Sequence, residues 1–330
     1  MSETIMPSAP TTRKTGLPVK DLLSKYGTVV FLALVIIGFA AANPRFMSAT
    51  NLANVLQQSA VLAILATGLT LALASGEFDL STGSVASLAG ILVTGLMANQ
   101  HWGGWAAVAA TVVVGIAFGV FNALLVSLLR IPSLIATLGT SAVAIGVNFA
   151  YSGGASIYGT LPTGFKMLGQ GRLGLVPVSV IIAAVIVVLG YIVLEKTKAG
   201  RYMIATGTNS TAARLTGVHI KRYRGAGLVC SAALAAFAGI ILASYLGTGQ
   251  PSGGDSYTLV GLTVVFVGMS TIRPGQPNML GSVIGVILLG VVANGLNLIG
   301  ADTWIQQTVT GIILIIAVAL AVLKEELRFF

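Results

Sequence analysis

Residues 195–224, EKTKAGRYMIATGTNSTAARLTGVHIKRYR, form a polar block between two long apolar segments. The block carries seven of the chain's 18 basic residues and a single acid, Glu195. The side-chain oxygens of residues 209–211 (Asn-Ser-Thr) are suited to capping the first turn of a short helix, and Gly217 is suited to ending it. We therefore predict a compact basic block on the cytoplasmic face, where another protein pushes on this one. The alternative is an ordinary basic loop that only sets the orientation of the neighbouring spans.

The composition predicts an all-α polytopic membrane protein. Apolar residues make up 55% of the 330 positions and charged residues only 8%, whereas a soluble domain of this size needs more charged surface. The 41 glycines fit this class, because small residues let transmembrane helices approach closely. The single cysteine excludes an internal disulfide, and the two histidines lack metal-ligand spacing. We expect no metal, and no nucleic-acid partner, since the basic residues cluster between apolar spans.

Ten apolar segments are candidate membrane spans, although several are shorter than the roughly 20 residues that cross a bilayer's hydrocarbon core. They are 27–42, 59–75, 85–99, 105–128, 134–151, 177–194, 225–247, 257–272, 280–299 and 303–323. We expect one transmembrane domain over 27–323 between two cytoplasmic tails, 1–26 and 324–330. The first tail is polar and lacks the short apolar core of a secretory signal.

The basic residues indicate an orientation. With the N-terminus inside, fifteen of the 18 basic residues fall in cytoplasmic segments, and three, Arg45, Lys166 and Arg172, fall outside. This excess follows the positive-inside rule. An odd number of spans before the 195–224 block would destroy the excess. We therefore predict ten spans with both termini in the cytoplasm.

An internal repeat occurs at an offset of 172 residues, so that 59–151 falls on 231–323. Asn122 matches Asn294, for example, and the Gly/Ser/Asp-rich loop 76–84 falls on 248–256. Because the copies are five spans apart, the second is inverted in the membrane relative to the first, as in many transporters.

The loop 76–84 carries two acids, Glu77 and Asp79, between apolar spans. Ionisable groups at membrane depth are costly unless they are paired or face a water-filled path, so both are functional candidates. Glycines and hydroxyls suit a broken helix whose free backbone groups need partners. The alternative is an interfacial turn in which Asp79 caps the next helix.

Uncharged amides also occur in or beside the spans. They are suited to hydrogen-bonding a neutral polar solute, or to bonding between helices, which is the commoner use. The candidate translocation path comprises Gln57, Glu77, Asp79, Ser81, Asn122, Asn294 and Asn297. Two glycine pairs, 115/119 and 281/285, instead indicate faces where helices pack closely.

Common catalytic motifs are absent from the sequence. There is no Gly-Lys pair, hence no nucleotide P-loop, and neither H-E-x-x-H nor G-x-S-x-G occurs. We therefore expect no catalytic residues in this chain.

Five ordered motifs carry a resemblance to a known family. They are NLANVLQQ at 51–58, FDLSTGS at 78–84, PSLIATLG at 132–139, GRY at 200–202 leading to GTN at 207–209 and AARLTGV at 212–218, and NGLNL at 294–298. They resemble segments of the inner-membrane permeases of ribose/xylose/galactose-type ABC importers, over about residues 27–323. The chain departs from that pattern at Glu77, where many members have glycine, and at 268–278, where many have a Gly-Gly-rich stretch.

The resemblance implies a type II ABC importer-like fold of ten spans in two inverted halves, paired with a second permease copy in a homo- or heterodimer. It implies two copies of a separate ATPase, which bind ATP and Mg²⁺, and a periplasmic binding protein that delivers a monosaccharide. This chain would bind no cofactor and would lie in the bacterial inner membrane. The element that seats on the ATPase would comprise Asn209, Ser210, Thr211, Ala212, Ala213, Arg214, Leu215, Thr216 and Gly217.

On this interpretation the binding protein docks on the outer segments 43–58 and 152–176, and the two halves rock as the ATPases close. One alternative is a permease of the same family for a nucleoside, a polyol or a furanosyl signal molecule. Another is a secondary carrier driven by an ion gradient without an ATPase. An intramembrane enzyme is a third, and the sequence offers no nucleophile and base for it.

Overall fold

The computed structural model describes residues 19–273 and 275–326, so that 1–18 and 327–330 of the two expected tails lie outside the described residues. The helices are α1 (Val19–Ala42), α2 (Ala49–Ala74), α3 (Thr82–Ala98), α4 (Gly104–Ser127), α5 (Ser133–Ser152), α6 (Thr163–Gln170), α7 (Val178–Tyr191), α8 (Lys198–Thr208), α9 (Ser210–Leu215), α10 (Ile220–Leu246), α11 (Ser256–Met269), α12 (Met279–Leu298) and α13 (Thr303–Glu326). A hairpin of β1 (Arg172–Leu173) and β2 (Val176–Pro177) precedes α7, and a π-helical turn (Ile192–Lys196) extends it.

Within the described part of the chain, six helices are long and apolar enough to cross a membrane, namely α2, α4, α5, α7 with its π-helical extension, α10 and α12. Shorter apolar helices, Gly27–Ala42, Thr82–Ala98, Ser256–Met269 and Thr303–Ala319, lie at the other four predicted spans. The all-α polytopic membrane class is confirmed. That all ten helices cross the membrane remains a prediction.

The largest difference from the expected helix boundaries is at α2, which begins at Ala49 although the apolar segment begins near 59. Ser48 caps the helix, because its Oγ accepts a hydrogen bond from the N–H of Asn51 at 3.3 Å. Polar residues of the expected outer loop therefore form the first turns of α2. The amphipathic α6 and the β1–β2 hairpin had no counterpart in the predicted spans.

Helix α10 lies against α2, α3 and α4, and small residues allow the close contacts. A Cβ atom on Gly119 of α4 would lie 2.7 Å from the Cα of Val229, and one on Gly115 would collide with Ala236. In the second half of the chain, Gly285 of α12 packs on the backbone of Val264 in the same way. The predicted close-packing faces at 115/119 and 281/285 are confirmed.

The first turns of α3 meet the start of α11. The N–H of Gly83 donates to Thr258 Oγ1 at 2.7 Å, and Ser87 Oγ donates to Asp255 Oδ1 at 2.7 Å. The two loops that the repeat superposes therefore touch at their C-terminal ends, where Gly83 lies against Gly254 and Asp255.

The predicted repeat pairs α2 to α5 with α10 to α13, and it remains a prediction. The starting residues of the four pairs differ by 171, 174, 175 and 170 positions, close to the offset of 172 found in the sequence.

Candidate functional site

The basic block folds into α8, α9 and the first turn of α10. Asn209 caps α9, since its Oδ1 accepts from the N–H of Ala212 at 2.9 Å, and Gly217 ends it with a φ of 82°. The predicted capped helix is therefore confirmed as a structural element. Ala213 faces inward, whereas Leu215 is 85% exposed. A leucine this exposed on a polar loop leaves an apolar side chain free for a partner.

Two ion pairs hold the ends of the block. At the C-terminal end, Arg224 Nε lies 3.0 Å from Glu77 Oε1 in the α2–α3 segment. At the N-terminal end, Glu195 Oε2 lies 2.6 Å from Arg273 Nη1 in the α11–α12 segment. Both acids are largely buried, with side chains 5% and 8% exposed, while both bases are partly solvated. The block is thereby tied to each half of the predicted repeat.

The environment of Glu77 explains its pairing. Burial raises the pKa of this carboxyl above its ordinary value, while a hydrogen bond with Ser133 and the charge of Arg224 oppose the rise. A buried carboxylate with no partner would be costly. Arg224 therefore offsets the cost of burying Glu77 at the end of the helices.

Asp79 begins a chain of buried polar contacts. It has no exposed surface, and its Oδ1 accepts from the N–H of Ser81 at 3.0 Å and from Ser81 Oγ at 2.6 Å. Asn122 Nδ2 donates to Ser81 Oγ at 3.0 Å, and Thr140 Oγ1 donates to Asn122 Oδ1 at 2.6 Å. This series of hydrogen bonds connects the segment before α3 to α4 and α5.

The other candidate path residues occupy separate contacts. Asn294 and Asn51 exchange two amide hydrogen bonds, at 2.9 and 3.2 Å, and join α12 to α2. Gln57 Nε2 donates to the carbonyl of Gly169 at 2.8 Å, which ties α2 to α6. Asn297 is exposed. The structure thus joins Asp79, Ser81 and Asn122 into one network, while the path role of all seven residues stays a prediction.

No sequence pattern indicates that Arg224, Arg273 or Asn51 contacts these residues. The two arginines were counted only as orientation charges. The expectation that a buried acid needs a counter-ion pointed to a base near Glu77, without saying which one. Across the described residues, no group of three His, Cys, Asp or Glu side chains is arranged to hold a metal ion.

Comparisons with known proteins agree on one family. Residues 51–318 match the family described as "Branched-chain amino acid transport system / permease component". The ribose import permease protein of Bacillus subtilis (strain 168) is 33% identical over 308 residues, which cover 91% of this chain and 93% of the relative. The ribose import permease protein of Escherichia coli (strain K12) is 31% identical over 306 residues, covering 91% and 94%. The L-arabinose transport system permease protein of the same strain is 31% identical over 304 residues, covering 92% of each chain. No solved structure matches significantly.

Proposed function

Because the chain belongs to the branched-chain amino acid transport system / permease component family, we propose that it is the membrane-spanning permease subunit of an ABC importer for a monosaccharide. The membership confirms the resemblance drawn from the five sequence motifs. The observation that carries the proposal is the alignment, over more than 90% of both chains, with permeases named for ribose and L-arabinose. The chain is a transport subunit and not an enzyme.

A pentose is the substrate class that the relatives favour. The family description names branched-chain amino acids, but several relatives that align with more than 90% of the chain are named for one of two five-carbon sugars. A sugar is neutral and rich in hydroxyl groups, so it needs amide and hydroxyl partners, and side chains of these types are among the candidate path residues. Uptake of labelled ribose, in competition with unlabelled arabinose, xylose and leucine, distinguishes these substrates.

The partners follow from the family. Two separate cytoplasmic ATPase subunits supply ATP hydrolysis with Mg²⁺, a periplasmic binding protein delivers the sugar, and a second permease copy completes the path. The chain lies in the bacterial inner membrane with both termini in the cytoplasm and ten spans in two inverted halves. The positive-inside excess and the matching order of α2–α5 and α10–α13 support this arrangement.

The basic block transmits movement from the ATPase. Leu215 and Arg214 are exposed on the capped α9 and seat on the ATPase surface. The ion pairs at the two ends of the block, Glu77–Arg224 and Glu195–Arg273, carry displacement of α9 to both halves of the permease. Buried acids paired in this way resist separation, so the block moves together with the segments that hold it.

The proposal is tested by gentle purification of the tagged chain, expressed from its native operon. We expect an ATPase subunit to co-purify at equal copy number, and a soluble binding protein with sugar to stimulate ATP hydrolysis. A homo-oligomer without a nucleotide-binding partner, whose uptake stops when the ion gradient collapses, would instead identify a secondary carrier.

A further inference from the structure

A cavity of about 720 Å³ opens at the end of the helix bundle that carries the basic block. Its walls come from the turn between α4 and α5 and from the first residues of α10. The cationic side chains in its lining are Arg130, Arg214, Lys221, Arg222 and Arg224.

The positive charge of this cavity is largely unneutralised. Among the lining residues that the structure describes, Glu77 is the one acid, and it pairs with Arg224. Within 27–273 and 275–319, Arg130, Lys221 and Arg222 form no ion pair, and all three are exposed. Cations that converge on one concavity raise the local concentration of anions. The cavity therefore favours an anionic ligand.

The backbone of Arg130 supports a role for its charge. Arg130 has a φ of 57°, in the left-handed region, at the turn that ends α4. The N–H of Ile131 bonds back to the carbonyl of Leu125 at 3.2 Å across this turn, a position where glycine is the usual residue. Glycine would remove the backbone strain but would also remove the guanidinium from the cavity.

The cavity also lies where lipid headgroups are found. Helices α4 and α5 are both of membrane-spanning length, so the turn between them marks a membrane boundary. Leu128, Leu129 and Ile135 beside this turn are 61%, 67% and 64% exposed, and form an apolar rim. Basic pockets at helix ends with such a rim suit the phosphate and the acyl chains of one molecule.

We propose that this cavity binds the phosphate of an anionic glycerophospholipid, whose acyl chains run along the exposed face of α4 and α5. Arg130, Lys221 and Arg222 hold the phosphate, and Leu129 and Ile135 contact the chains. An acidic surface of a protein partner would match the charge but would leave the apolar rim without a role.

Native mass spectrometry of the purified permease in detergent tests the site, using phosphatidylglycerol and phosphatidylcholine with the same acyl chains. We expect phosphatidylglycerol to bind more tightly. The variant Arg130→Gly should fold, since glycine suits the left-handed turn, and bind phosphatidylglycerol about fivefold more weakly. The double variant Lys221→Gln, Arg222→Gln should weaken binding about 30-fold, because each cation near an anionic headgroup contributes about 1 kcal/mol. Lys198→Gln, an exposed lysine of α8 outside the cavity, is the matched control and should bind as the unaltered chain does.

Three results would overturn the assignment. Equal binding of phosphatidylglycerol by all four proteins would mean that the cavity holds no lipid phosphate. Displacement of the lipid by sn-glycerol 3-phosphate at equal concentration would show a soluble anion site without an acyl-chain contact. Loss of the lipid on addition of the ATPase would assign the cavity to the protein interface. None of these readouts depends on sugar transport.

Discussion

At the scale of single residues, several buried polar side chains in this chain bond between helices. Asn294 pairs with Asn51, and Asn122 lies between Ser81 and Thr140. Hydrogen bonds of this kind hold transmembrane helices together, because the lipid offers polar groups no other partner. A solute that used these amides would have to compete with bonds that are already made.

Two asparagines on α12, the buried Asn294 and the exposed Asn297, provide a test of this structural role. Asn294→Ala should lower the free energy of unfolding by about 0.5–2 kcal/mol, because Asn51 loses both amide bonds to its partner and keeps only the carbonyl of Phe46. Asn297→Ala, one turn further along the same helix and exposed, should change it by less than about 0.5 kcal/mol. Unfolding of the purified variants in detergent measures both changes in free energy, and sugar uptake is measured for the same variants. Equal stability of the two variants would contradict a structural role for Asn294.

The ion pair of Glu77 gives a second test at this scale. Arg224→Ala should destabilise the protein by about 1–3 kcal/mol, toward the lower end of the cost of breaking a buried pair because Arg224 is partly solvated. Adding Glu77→Gln should recover much of the loss, since no buried charge then remains unpaired. A double-mutant cycle on thermal unfolding gives the coupling energy. Additive single effects would mean that the two side chains do not interact.

At the scale of elements, α9 is a six-residue helix whose exposed leucine has no packing role. Leu215→Asp should therefore leave membrane expression and unfolding unchanged while reducing ATP-driven sugar uptake at least about tenfold, as expected of an interface anchor. Ala199→Asp, which places the same charge on the exposed surface of α8, is the control and should transport normally. Full uptake by Leu215→Asp would remove α9 from the coupling interface.

The close packing of α4 against α10 at Gly119 gives a second prediction about helices. Gly119→Ala on α4 should cost about 1–3 kcal/mol, because the added Cβ meets the backbone of α10 at Val229. The same change at Gly139 of α5 meets no atom of the described residues within 4 Å, and should be neutral or stabilise the chain by up to about 1 kcal/mol. The unfolding midpoints of the two purified variants test this contrast. A large loss at Gly139 would reveal a second surface pressed against α5.

At the scale of the whole molecule, local sequence predicts helices well and their partners poorly. Apolar length placed α5 at 134–151, against Ser133–Ser152 in the structure, because a membrane helix satisfies its backbone within itself. The cap at Asn209 was predictable for the same local reason. The contact of Arg224 with Glu77 was not predictable, since a basic residue counts toward orientation equally well wherever its side chain points.

The predicted topology of ten spans with both termini in the cytoplasm depends on whether the short apolar helices cross the membrane. With Cys230 replaced by alanine, single cysteines at Trp102, Leu173 and Asp302 should react with a membrane-impermeant thiol reagent added outside right-side-out vesicles. A cysteine at Leu215 should react only after the vesicles are opened. All four positions are exposed.

The positions are chosen for the number of helices between them. Four apolar helices, α7, α10, α11 and α12, lie between Leu173 and Asp302. Helices α7, α10 and α12 are long enough to cross, so with those three crossing the two positions share a side only if the 14-residue α11 crosses as well. Labelling at Leu173 without labelling at Asp302 would mean that an odd number of these helices crosses. Helix α11 would then be the first to reconsider, because its 14 residues span only about 21 Å of a hydrocarbon core about 30 Å thick. Labelling at all three outer positions and protection at Leu215 would establish the orientation in which α9 faces the ATPase.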